Sequence, residues 1–352
     1  LILMKKNYKF KLAASTWDKK ELNAINQVIK SGNYSMGKYV KKYEEKFAEF
    51  FESKYSVMVN SGSSANLLMI AALFFKKKNK LKRGDEVIVP AVSWSTTYAP
   101  LQQYGLNLKF IDIDIDSLNY DLNILEKSIT KKTKAILLVN LLGNPNDFLK
   151  IKKMIRSKNI ILLEDNCESM GATYNKKYTG TFGLMGTFSS FFSHHISTME
   201  GGMVLTNNKE LYHILLSLRA HGWTRNIPQP SSLVKKNNDN FFESFRFIFP
   251  GYNVRPLEFE GAIGLEQLKK LPGFIRVRKQ NAKYFISRLS KFHEKIYIQK
   301  EIGESSWFGF TLIIKPNLKI KRKVLHSLLE KSGIESRPIV TGNFAKSESL
   351  KY

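Results

Sequence analysis

The chain has 352 residues, 43% hydrophobic and 12% aromatic, which is enough apolar material for a large core and predicts two domains. No uninterrupted apolar run reaches the length of about 18 residues that a transmembrane helix needs, so a membrane protein is not expected. The formal net charge of +26 is compatible with an anionic partner such as a nucleic acid, but the lysines are scattered along the chain, which favours a solvated lysine-rich surface.

The start of the chain and its cysteine content indicate where in the cell the protein is expected. Cys167 is the single cysteine, so an intramolecular disulfide and an iron–sulfur site built from cysteines alone are both excluded. The apolar stretch at the start is too short for a signal peptide, and Met4 is expected to be the natural first residue, with Leu1–Leu3 as an artefact of the reading frame. Together these features predict a cytoplasmic protein.

Helical and strand patterns alternate through the first half of the chain. Helices are predicted at 17–31, 38–52, 63–75, 95–104, 121–129 and 147–157, and strands at 55–59, 86–90, 108–112, 134–140 and 160–163. Because helices separate the strands, the pattern indicates a mostly parallel sheet with right-handed crossovers. Functional side chains are then expected at the carboxyl ends of the strands.

The next stretch, from Thr187 to Thr206, predicts a strand, a turn and a second strand that begins after Gly201-Gly202. Residues 226–239 are polar and contain prolines, which predicts a flexible loop. After residue 251 the pattern predicts helices at 256–269, 278–292 and 322–332 and strands at 296–298 and 306–314. We therefore predict a large α/β domain at residues 1–252 and a smaller C-terminal α+β domain at residues 253–352.

Three weak signals lie at predicted strand ends. The stretch from Asn60 to Asn66 opens a helix with small residues, so it predicts either a phosphate site at the helix N-terminus or an ordinary serine cap. Asp165 ends a buried strand, where it would either pair with a cation such as a protonated pyridine nitrogen or cap the next segment. Trp94 would either stack on a flat ring or belong to the core.

The alternating Asp112, Asp114 and Asp116 could suggest a metal site. Such alternation at a strand end is more typical of a solvated edge, so no metal is expected.

In this order the signals resemble the fold-type-I pyridoxal-phosphate (PLP) enzymes, which share the aspartate aminotransferase-like fold, and among them the DegT/DnrJ/EryC1/StrS sugar aminotransferase family. The resemblance covers nearly the whole chain and implies a homodimer with shared active sites. It implies one set of cofactor-binding residues, with Asp165 pairing with the pyridine nitrogen and Asn253 reaching the neighbouring subunit's cofactor phosphate. That set is Gly62, Ser63, Trp94, Asp165, Glu168, Ser189 and Asn253.

One position departs from the aminotransferases of this family. They carry a lysine six residues before the acidic residue of the Glu/Asp-Gly-Gly turn, and this lysine forms the Schiff base with the cofactor. Counting back six from Glu200 leads to His194, and no lysine occurs between Lys177 and Lys209. Imidazole forms no stable imine but moves protons near neutral pH. The resemblance therefore implies a non-covalently bound PLP or pyridoxamine phosphate (PMP), with His194 and Asp165 as catalytic residues.

Histidine at this position is found in sugar 3-dehydratases of the family, and the single cysteine excludes the branch that carries its own iron–sulfur cluster. The resemblance is strongest to the branch that acts on a GDP-linked 4-keto sugar with glutamate as amino donor. It implies substrate-binding roles for Ser193, His221, Arg225, Glu335 and Arg337.

Two other functions stay open from the sequence alone. One is a nucleotide-sugar 4-aminotransferase with an unusual base, and the other is an inactive homologue with a binding role, including binding of nucleic acid. The family's members continue for a few tens of residues beyond the position of Tyr352, so the small domain is expected to be truncated.

Overall fold

The computed structural model describes residues 8–351, so the expected start at Met4 and the preceding Leu1–Leu3 lie outside the described residues. The α-helices are α1 Lys19–Ser31, α2 Lys38–Phe50, α3 Gly62–Phe75, α4 Ser95–Gln103, α5 Leu122–Ser128, α6 Phe148–Ile155, α7 Lys209–Leu218, α8 Asn240–Ser244, α9 Glu258–Leu289 and α10 Arg322–Lys331. The strands are β1 Tyr55–Val59, β2 Glu86–Pro90, β3 Asn107–Ile111, β4 Thr133–Val139, β5 Ile161–Asp165, β6 Thr173–Tyr174, β7 Lys177–Tyr178, β8 Met185–Ser189, β9 Gly202–Thr206, β10 Ile296–Tyr297 and β11 Ile313–Ile314.

A seven-stranded sheet with the order β1-β9-β8-β5-β4-β2-β3 forms the centre of the chain. The strand pairs β8–β5, β5–β4, β4–β2 and β2–β3 are parallel, whereas β9 runs antiparallel to both of its neighbours. The prediction of a mostly parallel sheet is therefore correct.

Side chains alternate between the two faces of this sheet because successive residues of a strand point in opposite directions. In β2, Val87 and Val89 belong to a buried apolar cluster with α3 and α7, while Ile88 packs with residues of α5 and α6 on the other face. Phe188 of β8 joins a further cluster with α2 and α9. The sheet is thus covered by helices on both faces, so a ligand is expected at the ends of the strands.

The carboxyl ends of β1, β2, β4, β5 and β8 share one edge of the sheet. The four strands from β8 to β2 are linked by parallel pairing, and β1 has the same direction because two antiparallel pairings separate it from β8. This edge therefore collects the residues that follow each strand, including the start of α3, Asp165 and the turn between β8 and β9.

Two predictions for the second half were wrong. Residues 258–289 form one continuous helix, α9, instead of two, because Leu268, Leu271 and Ile275 pack against the cluster around α2 and outweigh the local effect of Pro272. Within residues 306–314 only Ile313–Ile314 form a strand, because the segment before them is bonded to the loop after β4.

Residues 226–239 form no helix or strand, as predicted, and their flexibility stays a prediction. The predicted domain boundary at residues 252 and 253 also stays a prediction. Among residues 8–351, no helix is long and apolar enough to cross a membrane. Asp116 of the acidic alternation pairs with Lys300 at 2.7 Å, and the described residues contain no group of three or more potential metal ligands.

Candidate active site

The turn between β8 and β9 brings His194 to the carboxyl edge of the sheet. Ser189 and Gly202 pair at the end of this hairpin next to the turn, and the backbone of Ser190 donates to the carbonyl oxygen of Gly201 at 2.9 Å. Gly202 packs so closely on the backbone of Ser61 and Gly62 that a side chain would not fit there. Gly202 thus allows the start of β9, where the His194 turn ends, to lie directly against the start of α3.

The start of α3 forms a narrow cradle with β8. A Cβ atom added to Gly62 would lie 3.0 Å from Ser189 Oγ and 3.1 Å from Cys167 Sγ. Ser61, and not Ser63, is the N-cap residue, because its Oγ accepts a hydrogen bond from the Ser64 backbone at 3.1 Å. The structure therefore brings Gly62 and Ser189 together at a helix N-terminus, where an anion is favoured, and leaves Ser63 exposed beside them.

Asp165 is buried at the end of β5, with 5% of its surface exposed. Its Oδ2 accepts hydrogen bonds of 2.8 Å from Asn66 Nδ2 and from Thr97 Oγ1, and its Oδ1 accepts one of 3.1 Å from the Cys167 backbone. All three donors are neutral, and no cationic side chain within residues 8–351 pairs with this carboxylate. A buried carboxylate needs a positive partner, and a protonated pyridine nitrogen fits that requirement.

The side chains that donate hydrogen bonds to Asp165, and the polar residues behind them, were not predicted from the sequence. Asn66 Oδ1 accepts a 2.6 Å hydrogen bond from Thr187, and Ser93 lies 2.8 Å from Thr97 Oγ1. Asn66 ends the stretch from Asn60 to Asn66, and Thr97 lies three residues after Trp94, so the signal for both was their position beside residues already singled out. Their contact with Asp165 depends on tertiary structure and is not visible in the sequence.

Trp94 precedes α4 and keeps 52% of its surface exposed. The interpretation as a core aromatic is therefore wrong. An exposed indole at the carboxyl edge of the sheet is free to stack on a flat ring.

Glu168 lies just after β5 and is partly buried. Its Oε2 accepts a 3.0 Å hydrogen bond from the Leu142 backbone, in the loop after β4. Burial raises the pKa of Glu168 to about 7, although the Leu142 hydrogen bond and the nearby Arg337 lower it. The carboxyl group can therefore hold or release a proton near neutral pH.

His194 is partly buried, and two aromatic rings contact its imidazole. The ring centroids of Phe308 and Phe191 lie 5.0 and 5.9 Å away. Burial, followed by the charges of Arg337 and Arg278, lowers the pKa of His194 to about 4. The imidazole is therefore neutral at physiological pH and able to accept a proton. The charge of Arg337 lowers the pKa of both His194 and Glu168.

The neighbouring His195 has a different environment from His194. It is 1% exposed, and its Nε2 lies 3.2 Å from the carbonyl oxygen of Ser306. Burial, followed by the charge of Arg278, lowers the pKa of His195 well below its usual range. This environment suits a buried structural histidine better than a group that exchanges protons with a ligand.

Three further predicted residues lie together in the segments around residues 221 and 253. Ala220 and Asn253 form a backbone bridge, and the His221 backbone donates to the Tyr252 carbonyl oxygen at 2.6 Å. Arg225 follows in the same loop and is exposed. No hydrogen bond, ion pair or ring contact joins Asn253, His221 or Arg225 to His194 or Asp165 within the described part of the chain.

Of the remaining predicted residues, Ser193 is partly exposed beside His194, and Arg337 is exposed with its guanidinium 5.9 Å from the Phe308 ring centroid. The Glu335 carboxylate accepts a 2.9 Å hydrogen bond from the Leu12 backbone, so it links the N-terminal segment to the segment after α10. Its role towards a sugar stays a prediction.

Comparison with known proteins places this geometry in a family. The GDP-4-keto-6-deoxy-D-mannose 3-dehydratase of Yersinia pseudotuberculosis is 65% identical over 345 residues, which are 97% of this chain and 88% of the relative. The E. coli GDP-4-keto-6-deoxy-D-mannose-3-dehydratase with bound hydrated PLP superposes with a TM-score of 0.96 at 62% identity, over 97% of this chain and 88% of that chain. A GDP-4-keto-6-deoxymannose-3-dehydratase with a trapped PLP-glutamate geminal diamine gives the same TM-score and identity over 98% and 89%.

These structures confirm the predicted fold class, and the likeness extends over nearly all of the chain. The sequence model of one aminotransferase family matches residues 15–348, which include the cradle at Gly62, the Asp165 strand end and the His194 turn. The chain therefore belongs to the DegT/DnrJ/EryC1/StrS aminotransferase family.

Proposed function

We propose that this protein is a PLP- and PMP-dependent dehydratase that removes the C3 hydroxyl group from GDP-4-keto-6-deoxy-D-mannose. The observation that carries this function is the histidine in the turn where the family's aminotransferases have their lysine. It is accompanied by the buried Asp165 carboxylate, whose hydrogen-bond donors among residues 8–351 are all neutral. The named activity of the 65% identical relative supports it.

The residues fit the cofactor. Gly62 and Ser189 would hold its phosphate with Ser63, Trp94 would stack on its ring, and Asp165 would keep its ring nitrogen protonated. When bound, pyridoxamine phosphate supplies the amine that reacts with the sugar ketone and a ring that accepts electrons.

His194 is the group that moves protons. Because its imidazole is neutral at physiological pH, it can accept a proton and then return it as the C3 hydroxyl group of the sugar departs. Arg337 lies close enough to lower its pKa, so an anionic group bound at Arg337 would raise the basicity of His194 again. Glu168 would hold a proton near the ring hydroxyl group.

Glutamate restores the amine form of the cofactor, as the PLP-glutamate adduct of the related structure suggests. In the complete cycle the sugar loses its C3 oxygen and gains two electrons, while glutamate is oxidised to its 2-oxo acid and ammonia is released. An aminotransferase would instead leave the amino group on the sugar.

We further propose a homodimer in which Asn253, His221 and Arg225 complete the site of the partner subunit. Within the described residues of one chain, no hydrogen bond, ion pair or ring contact links them to His194, which supports this assembly. The neighbouring segment also exposes several aromatic rings, which a second subunit would cover. The exposed rings are Phe241, Phe242, Phe245 and Phe247.

The test is incubation of the purified protein with the GDP-linked 4-keto sugar, PLP and glutamate, followed by mass spectrometry of the products. We expect a 3-deoxy-4-keto sugar with free ammonia. A 4-amino sugar would identify an aminotransferase, and an unchanged sugar would leave only a binding role.

A further inference from the structure

A short segment of the small domain, Ser305–Phe308, lies over both histidines of the β8–β9 turn. The Phe308 ring centroid is 5.0 Å from that of His194 and 5.6 Å from that of His195. The Ser306 carbonyl oxygen contacts His195 Nε2 at 3.2 Å. The position of this segment therefore determines the surroundings of His194.

Polar contacts hold the His194 imidazole only loosely. Within residues 8–351 its buried Nδ1 has no partner in good hydrogen-bonding geometry, although a hydrogen bond to the Phe191 backbone of the same turn raises the pKa of the ring. Imidazoles that transfer protons are commonly oriented by a carboxylate or carbonyl group on the second nitrogen. Here the rings of Phe191 and Phe308 provide the contacts, so the orientation of His194 depends on where Phe308 is held.

The 305–308 segment has an unusual backbone. Trp307 has a φ of +48°, in the left-handed region that is unfavourable for a bulky residue and persists only where surrounding contacts impose it. Part of the constraint comes from the loop after β4, because Ser306 donates to the Gly143 carbonyl oxygen and Phe308 to that of Leu142, both at 3.0 Å.

Hydrogen bonds from Trp307 to Ser305 Oγ and Glu301 add to this constraint, and Arg278 supplies a further one from helix α9. Its Nη1 donates to the carbonyl oxygens of Trp307 and Phe308 at 3.0 and 2.9 Å. The side chain is partly buried, and within the described residues it forms no ion pair. A charge removed from water without a carboxylate partner is costly, so its use on two successive carbonyl groups points to a positioning role.

We propose that Arg278 is a positioning residue for the dehydration. It fixes the backbone of Trp307 and Phe308, and the Phe308 ring in turn holds the His194 imidazole in the orientation needed for proton transfer. This inference rests on the proposed function, but its structural part concerns the protein alone.

The first test compares Arg278→Met with Arg276→Met in the full-length protein loaded with cofactor. Both changes remove one arginine from α9, but Arg276 is exposed and does not contact the 305–308 segment. We expect kcat to fall about 100-fold in Arg278→Met with little change in the KM for the sugar, because small misplacements of a reacting group have effects of this size. Arg276→Met should behave like the parent.

The second test is a double-mutant cycle with Phe308→Leu, which removes the ring but leaves Arg278 in place. If Arg278 acts through Phe308, the double variant should lose about as much kcat as either single variant, because the two share one effect. A loss equal to the product of the single losses would overturn the proposal. Should Arg278→Met not fold, Arg278→Lys, which keeps the charge but not the planar fork, takes its place in the cycle.

A third measurement needs no activity. In cofactor-free protein with labelled histidines, the His194 ring signals should be single in the parent and in Arg276→Met, and broadened or split in Arg278→Met. Unchanged His194 signals would overturn the proposal even if kcat fell. If the parent itself does not dehydrate the sugar, the proposed function fails, while this measurement still decides whether Arg278 orients His194.

Discussion

The Asn66 side-chain amide and the Asp165 carboxylate are joined by a 2.8 Å hydrogen bond, although the two residues are 99 positions apart and belong to α3 and β5. Helix α3 therefore serves the proposed site twice. Its first turn offers backbone groups to the cofactor phosphate, and its next turn orients the carboxylate that would face the ring nitrogen. The distance between these two binding points is set by one rigid helix.

Asp165→Asn should impair chemistry more than folding. An amide keeps one oxygen for Asn66 or Thr97, so we expect a loss of about 1–3 kcal/mol in the free energy of unfolding. An amide cannot balance a protonated ring nitrogen, and kcat should fall roughly 100- to 1000-fold, as when other charge-stabilising groups are removed. Steady-state kinetics and urea unfolding would measure both, with exposed Asp112→Asn as the control. Unchanged turnover would remove Asp165 from this role.

Thr97→Val should loosen the Asp165 carboxylate without changing the volume of the side chain. The variant loses the 2.8 Å hydrogen bond to Asp165 and leaves Ser93 without its partner in a buried place, so the free energy of unfolding should fall by about 1–3 kcal/mol. Affinity for PLP should fall as well. Thr97→Ser keeps the hydroxyl group and should stay close to the parent in both measurements. Equal effects of the two substitutions would show that the Thr97 hydroxyl group contributes neither to the free energy of unfolding nor to the affinity for PLP.

The sequence predicts those parts of the site that depend on local order along the chain. Asp165, the Gly62 cradle and the His194 turn all follow strands, and the parallel sheet brings strand ends to one edge whatever the details of packing. The hydrogen bonds of Asn66 and Thr97 to Asp165 were not predictable, because they depend on the distance between α3, α4 and β5.

The part of the chain after β9 shows the same limit more strongly. Arg278 resembles any other basic residue of a helix until the 305–308 segment is placed next to it, and that placement depends on the loop around Leu142. The continuity of α9 through Pro272 was also hidden, because it results from packing against α2 and not from the helix propensity of its own residues.

The stability of the protein should depend on His194 at acidic pH. Histidine titrates near pH 6.5 in an unfolded chain but near pH 4 at this position. Between these values the unfolded chain binds more protons, so the folded state loses stability as the pH falls. His194→Gln removes this effect, and relative to the parent its free energy of unfolding should rise by about 2 kcal/mol between pH 7 and pH 5.

Urea unfolding at several pH values would measure this difference, with the same substitution at exposed His293 as the control. A constant offset between parent and His194→Gln across this range would contradict the environment found for His194.

The cofactor should be bound without a covalent link to the protein. The position used by the family's aminotransferases is His194, and the stretch from Tyr178 to Asn208 contains no lysine. Treatment of the PLP-loaded protein with borohydride, followed by peptide mass mapping, should therefore find no pyridoxyl-lysine. A stoichiometric adduct on any lysine would contradict this, and a family aminotransferase treated in parallel would show that the reduction worked.

The proposed sharing of sites between subunits can be tested by mixing two inactive variants. Asp165→Asn damages the site within its own chain, whereas Asn253→Ala should damage the site of the partner subunit. In a mixed dimer with two-fold symmetry, one site carries both changes and the other carries neither. After unfolding and joint refolding of equal amounts, half of the dimers are mixed, so roughly a quarter of the parent activity should return. If Asn253 served its own chain, every mixed dimer would contain two damaged sites and the mixture would stay as inactive as its components.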